Sequence, residues 1–371
     1  MSTIEVKSPD WKWLSAYFEP SLVAAKPYKI DAPTGITIKL DQNESPWDWP
    51  QHLKDRILAG VSACEWNRYP ESMAASVSTL LAGYVGVKAE CLMTSPGSNH
   101  LIALILEALG RRLPGKVVIA RPSFALFESH AQYAGVEYEP WLLDEDFNYR
   151  VDRLPSLPDG SLVIFASPNN PTGTSLPKAQ FRELLQRFPK VLFLADEAYY
   201  EFDDDPYTDL LGEFPNLLLL RTLSKTMGAA GVRLGYAIGS PELIGTLSKL
   251  RLPYLLNHFT MEAAKVIFTD PEMMAFVQRN VANAKSERDF VFDRLQAMSP
   301  QLKVFPSKAN FLLIRWPEQK TCEDVYLGLK KRGILVRNVS GGPGLQCCLR
   351  VSIGQRPENE AFLAALSAIS G

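Results

Sequence analysis

Four runs constrain this chain more than anything else in it: KVVIA (116–120), SLVIFA (161–166), VLFLA (191–195) and LLLLR (217–221). Their apolar residues keep neither a two-residue nor a helical period, which is how strands buried on both faces read. Helical patterns near 98–110, 124–134 and 178–187 stand between or before them. A helix near 74–84 and a strand near 88–93 come first, and a strand at 233–239 follows. Strands taking turns with helices predict a parallel α/β sheet.

Past 239 the rhythm changes. Longer helical patterns cover 257–268 and 271–298, shorter strands 302–305, 310–315, 334–337 and 347–353, and a closing helix 358–369. Residues 1–50 are rich in Trp and Pro and read as an irregular arm with a short strand near ITIKLDQ (36–42). With 371 residues, the chain exceeds the ~250–300 at which a single core stops growing. The expected division is an arm with part of a small domain (1–50), a large domain (51–255) and a small α+β domain (256–371).

The 39 basic and 41 acidic residues nearly cancel, so no long-range field draws nucleic acid or an anionic membrane. The five cysteines show no C-x-x-C spacing, and Cys347 and Cys348 are adjacent; this is the usage of a reducing compartment. The N-terminus has charges and prolines where a signal peptide needs an apolar core, and no stretch reaches the ~18 apolar residues of a membrane span. A soluble cytoplasmic protein is expected. The four histidines form no H-x-x-x-H pair, so no metal site is expected.

Open α/β sheets bind ligands beyond the carboxyl ends of their strands, and four segments there are unusual. SPNNPTGT (167–174) follows SLVIFA directly and presents Asn169 and Asn170 on a proline-stiffened turn. DEAYYEF (196–202) sets Asp196 at the exit of a buried strand, where a carboxylate needs a cation or proton donor. Tyr199 stands beside it, and Glu197 reads as a helix-start or rim carboxylate. RTLSKTMGAAGVRLGY (221–236) places Lys225 among uncharged residues, where desolvation favours the neutral amine that forms a Schiff base with an aldehyde. Thr222, Ser224 and Arg233 there suit a phosphate. TSPGSNH (94–100) puts small residues at a helix start, which is an anion site or an ordinary cap.

An aldehyde, a protonated ring nitrogen, a phenolic oxygen and a phosphate belong together in pyridoxal 5'-phosphate. With LDQNESP, NRYPES, RPSFALF, GILVRN and CLRVSIG in the same order, the chain resembles the fold-type I aminotransferases, and among them the histidinol-phosphate aminotransferase branch. The resemblance implies a large domain with a mostly parallel seven-stranded sheet between helices, a smaller α+β domain and an N-terminal arm. It implies that Lys225 carries the cofactor and moves the substrate proton, that Asp196 holds the ring nitrogen protonated, and that Asn170 and Tyr199 donate to the phenolic oxygen. Ser98, Asn99, Thr222, Ser224 and Arg233 would form the phosphate cup, with Phe124 stacked on the ring.

Further implications concern partners and substrate. Tyr69 would reach the cofactor phosphate of a neighbouring subunit, making a homodimer with shared sites. Tyr28, Asn43, Arg337 and Arg350 would bind the substrate: an amino donor, with 2-oxoglutarate as the 2-oxo acid acceptor. Arg337 and Tyr28 favour histidinol phosphate as donor. The departures are Asn99 and His100, where an acidic pair is frequent, and Phe124 and Phe127, where tyrosines are. An aromatic aminotransferase and a phosphothreonine-type decarboxylase stay open as alternatives. Trp47 is expected in arm packing or in the substrate pocket.

Overall fold

The computed structural model describes residues 3–5, 11–26, 33–110 and 112–370. Twelve strands build two sheets: β1 (Ile38–Leu40), β2 (Leu92–Ser95), β3 (Val117–Arg121), β4 (Tyr138–Leu142), β5 (Leu162–Ala166), β6 (Leu192–Asp196), β7 (Leu217–Thr222), β8 (Gly235–Ile238), β9 (Lys303–Phe305), β10 (Phe311–Arg315), β11 (Ile334–Asn338) and β12 (Cys348–Ser352). The larger sheet has seven strands in the order β2-β8-β7-β6-β5-β3-β4. Only β8 runs against the others, pairing antiparallel with both β7 and β2.

The apolar runs lack a period because both faces of this sheet are covered. Val118, Val163, Phe165, Phe193 and Leu219 enter one core with the helices Gln51–Ala63, Ala75–Val85, Lys178–Arg187 and His258–Thr269. Their neighbours Ile119, Ile164, Leu194 and Leu218 enter a second core with the helices Ser98–Leu109, Ala125–Tyr133 and Pro241–Leu247. Successive strand residues point to opposite faces, so a strand between two cores must be apolar throughout.

The smaller sheet is β1-β11-β12-β10-β9. Here β1 joins β11 in parallel, which ties residues just ahead of the large sheet to the C-terminal third of the chain. The 28-residue helix Pro271–Met298 spans the two units: Met273 and Val277 lie in the large core, Val291 and Leu295 in the small one. Pro271 at its first turn and the Asp270 carboxylate accepting the Glu272 N–H at 2.9 Å fix where it starts.

Four elements escape the sequence pattern. The helix Gln51–Ala63 buries only Leu53 and Ile57, and Gln319–Lys331 only Cys322, Val325 and Leu329, so charged residues mask each stripe. The helix Pro241–Leu247 is short. Strand β4 is an edge strand carrying Glu139 and Pro140, with only Trp141 buried, and edges tolerate proline. The arm is also less irregular than expected, with short helices at Trp11–Leu14 and Pro20–Ala24.

Trp141 anchors that edge. It is fully buried, its indole N–H donates to the Arg150 carbonyl at 2.8 Å, and its ring lies 5.0 Å from that of Tyr149. Trp141→Ala removes this volume and strands the carbonyl; urea unfolding should show a loss of about 3–5 kcal/mol, and a loss near zero would mean that β4 is not part of the core.

Candidate active site

Asp196 at the end of β6 stands opposite Ala166 at the end of β5 and opposite Leu220 in β7, which runs on two residues to Thr222. The loops that leave these ends open onto a cavity of about 900 Å³ whose far wall is the smaller sheet and its loops. The volume suits a cofactor with a substrate beside it. Lys225, Asp196, Tyr199, Asn170, Ser98, Asn99, Phe124, Thr222, Ser224 and Arg233 all line it, as do Asn43, Arg337 and Arg350. Tyr28 lies outside the described residues.

Lys225 donates from Nζ to the Gln42 carbonyl at 2.8 Å. Its pKa is lowered to about 8, first by burial and then by the Arg350 guanidinium, with Arg233 and Lys39 adding to the effect and Glu44 opposing it. Asp196 is buried and accepts the Ala198 N–H at 3.1 Å. Burial, aided by the Glu197 charge, pushes its carboxyl up to about 7, against the opposing Ala198 N–H and Lys225. Among the described residues no cation sits within ion-pair distance of it. A protonated nitrogen placed there would be the missing partner and would restore the carboxylate.

Asn43 is held on every side. Its backbone lies in the left-handed region at φ 54°, its N–H donates to Ser352 Oγ at 2.8 Å, and its Oδ1 accepts from that hydroxyl at 2.9 Å. Its Nδ2 is thereby aimed at the Tyr199 hydroxyl oxygen, 2.9 Å away. Asn170 Oδ1 accepts from Arg350 Nη1, and Arg350 Nη2 donates to the Asp41 carbonyl. The two sheets therefore meet through side chains that line the cavity.

The phosphate end has a shape test. Arg233, at φ 60°, lays its guanidinium beside Gly97 and donates to the Pro96 carbonyl at 3.3 Å. A Cβ on Gly97 would come within 2.5 Å of Arg233 Nη2, and one on Gly235 within 2.4 Å of the Ser98 nitrogen. Two glycines thus keep open a cradle made of a guanidinium, the first amides of the helix Ser98–Leu109 and the hydroxyls of Thr222 and Ser224, which are 3.0 Å apart. That donor set fits a phosphate dianion, and together with Lys225 and Asp196 it fits pyridoxal phosphate.

Glu197 is misread in the sequence, and Tyr69, Trp47 and His100 lie outside the wall of the main cavity of this chain. Glu197 is no rim carboxylate: its side chain is 1 % exposed and paired with Arg221, which the run LLLLR disguised as the polar end of a strand. Tyr69 is 78 % exposed, stacks on Tyr254 at 4.4 Å and is not in the cavity wall. Trp47 packs beside Tyr199 and Phe311 outside the main cavity. His100 bonds Ser95 Oγ at 2.9 Å, away from the cavity wall. Sequence reading missed the Gln42 carbonyl, which no side chain signals, and Ser352, whose link to Asn43 depends on pairing across 309 residues.

The Aminotransferase class I and II family model matches residues 36–366. The histidinol-phosphate aminotransferase of Aquifex aeolicus is 36 % identical over 342 residues, covering 91 % of this chain and 94 % of that protein. That of Chlorobium phaeovibrioides is 37 % identical over 361 residues, covering 96 % and 97 %. The solved histidinol-phosphate aminotransferase of Clostridium acetobutylicum superposes with a TM-score of 0.80 at 25 % identity, covering 90 % of this chain and 98 % of that one.

Because desolvation lowers the Lys225 pKa to about 8, the neutral amine gains ground at lower pH than for an ordinary lysine. Capture of an aldehyde by the cofactor-free protein, trapped by borohydride, should rise with pH and level off above about 8. A rate still climbing at the ordinary lysine pKa of ~10.4 would show a solvated amine.

Proposed function

The chain belongs to the class I and II aminotransferases, and on that premise we propose that it transfers an amino group from L-histidinol phosphate to 2-oxoglutarate in a ping-pong exchange. It is a pyridoxal phosphate-dependent aminotransferase. The observation that carries the substrate reading is the register of the smaller sheet, in which Arg337 on β11 stands directly opposite Arg350 on β12. Like charges facing each other across strands are destabilising on their own, and both line the cavity. A phosphorylated donor brings a dianion to which guanidiniums on this wall can bond. The names of the curated relatives, over nearly the whole chain, support the same reading above an aromatic donor or a decarboxylation.

Each residue has a task in this reading. Arg233, Ser98, Asn99, Thr222 and Ser224 hold the cofactor phosphate, and Phe124 covers the ring. The Asp196 carboxylate keeps the ring nitrogen protonated. Pyridoxal phosphate, when bound, supplies an electron-withdrawing ring that delocalises the electron pair left on the substrate Cα. Asn170 and Tyr199 hydrogen-bond the phenolic oxygen, with the Asn43 amide on the Tyr199 oxygen directing the hydroxyl. With the cofactor in place, Lys225 Nζ would be the group that takes the proton from the substrate Cα and gives it back. Arg350 grips the acceptor carboxylate, and Arg337, with Tyr28, the donor phosphate.

Tyr69 stacks on Tyr254, and Leu58, Trp66, Met73 and Leu252, near one or the other in sequence, are exposed as well. These exposed apolar side chains support a homodimer in which Tyr69 reaches the neighbouring cofactor phosphate. All five cysteines are free thiols, which supports a cytoplasmic setting, and no described helix is long and apolar enough to cross a membrane.

Mixing the holoenzyme with L-histidinol phosphate, and separately with L-phenylalanine, should convert the cofactor's visible absorbance to that of its amine form much faster with the first. A response to phenylalanine alone would discard the phosphorylated donor. Arg337→Ala should raise KM for histidinol phosphate by about 10–100-fold, as loss of a charged hydrogen bond does, while leaving the phenylalanine half-reaction unchanged. Lys225→Ala should abolish turnover with part of the cofactor affinity kept, and normal turnover in that variant would remove the assignment of the lysine.

A further inference from the structure

We propose that the buried Arg221–Glu197 ion pair is a positioning device that sets Asp196 and Lys225 in their working relation without touching the ligand. The inference rests on the reading of Asp196 and Lys225 as cofactor residues. Arg221 lies on β7, one residue before Thr222 and four before Lys225. Glu197 follows Asp196 directly, and its N–H donates to the Leu220 carbonyl at 2.8 Å, so the ladder between β6 and β7 continues one step past the end of β6. The pair therefore bolts together the two strand ends that carry the chemistry. Neither residue is part of the cavity wall.

The geometry leaves Glu197 no freedom. Arg221 Nε and Nη2 both donate to its Oε2, at 2.8 and 2.6 Å, and the Tyr207 N–H donates to its Oε1 at 2.8 Å. Arg221 is fixed in turn, with Nη2 donating also to Thr208 Oγ1 and the guanidinium 3.8 Å above the Tyr200 ring. Both side chains are at most 2 % exposed. Charges this dry gain no stability over apolar residues of the same volume; what the fork and the amide add is direction. Neighbouring side chains on an extended backbone point to opposite sides, so three donors on the Glu197 carboxylate set the pitch at which Asp196 faces the cavity.

Charge balance gives the pair a second effect. Burial and, after it, the Glu197 charge push the Asp196 carboxyl up, and Arg221 is the cation paired with Glu197. Besides Lys225, the titratable groups around Asp196 and the pair include Tyr149, Glu201, Tyr84, Tyr200, Tyr207 and Tyr236, and burial pushes the Glu201 carboxyl up to about 7. With the pair intact, the Glu197 carboxylate has its own cation and does not stand as a second unanswered anion next to Asp196.

The test uses holoenzyme carrying Arg221→Met, the neutral double variant Arg221→Met with Glu197→Gln, and Asp196→Ala. Cofactor dissociation, the pH titration of the visible absorbance, kcat, KM and melting temperature are measured for each. The double variant removes both charges and keeps an acceptor for the Tyr207 N–H, so it should melt near the wild type. It should nevertheless bind the cofactor at least about tenfold more weakly and lose about 10–100-fold in kcat with KM little changed, the scale of a small misplacement of reacting groups. In Arg221→Met the unanswered Glu197 carboxylate should also move the absorbance midpoint upward, because a negative charge favours the protonated form; should that variant fail to fold, the double variant decides. Wild-type affinity and kcat in the double variant, or losses that only follow the folded fraction, would overturn the proposal. An unaffected Asp196→Ala enzyme would instead bring down the cofactor reading beneath it.

Discussion

Everything at this site depends on keeping a carboxylate and an amine dry at neighbouring strand ends. Water would return Asp196 and Lys225 to ordinary protonation, and neither would then respond to a ligand. Dryness needs a sheet covered on both faces, which is why Phe193, Leu194, Leu218 and Leu219 are all fully buried. It also needs strand ends close together: β5 and β6 stop in register at Ala166 and Asp196 and β7 runs on to Thr222, which leaves Asn170, Asp196 and Thr222 on one rim. Parallel strands achieve this without further provision, because all their carboxyl ends face one way.

The smaller sheet answers a different requirement. A closed core cannot admit substrate, so the second wall of the cavity belongs to a separate core, linked through the helix Pro271–Met298 and through β1. The Arg350 bond to Asn170 crosses between the two units, and Asn43 bonds at once to Ser352 on one side and to Tyr199 on the other. These contacts make the position of the small unit sensitive to what the cavity holds, because a ligand anion competes with Asn170 for the Arg350 guanidinium.

The legible part of the molecule was the part written in local sequence. Strands β3, β5, β6 and β7 stand out because two-face burial leaves them apolar up to their carboxyl ends, Lys225 because it stands among uncharged residues, and Asp196 because it is a carboxylate at the exit of a buried strand. Pairings across the chain stayed hidden. Arg337 and Arg350 are thirteen positions apart, and only the antiparallel register of β11 with β12 makes them opposite neighbours. Glu197 was misread because an acidic residue after a strand looks like a rim residue until its partner, Arg221 at the end of an apolar run, is seen against it. The Gln42 carbonyl carries no side-chain signal at all.

That division has a consequence for how specificity and chemistry are distributed. The residues proposed for the cofactor sit on the large sheet and the loops leaving it, and the strand residues between its two cores tolerate almost no polar change. The cations proposed for the substrate sit on β11 and β12, where Arg337 is half-buried and the adjoining segment 339–345 lines the cavity with glycines and a proline. Altering that segment reshapes the donor pocket without moving Asp196 or Lys225, whose relation is held from behind by buried groups facing away from the substrate. A chain built this way can exchange one amino donor for another while its proton-transfer geometry stays where the two-sided sheet put it.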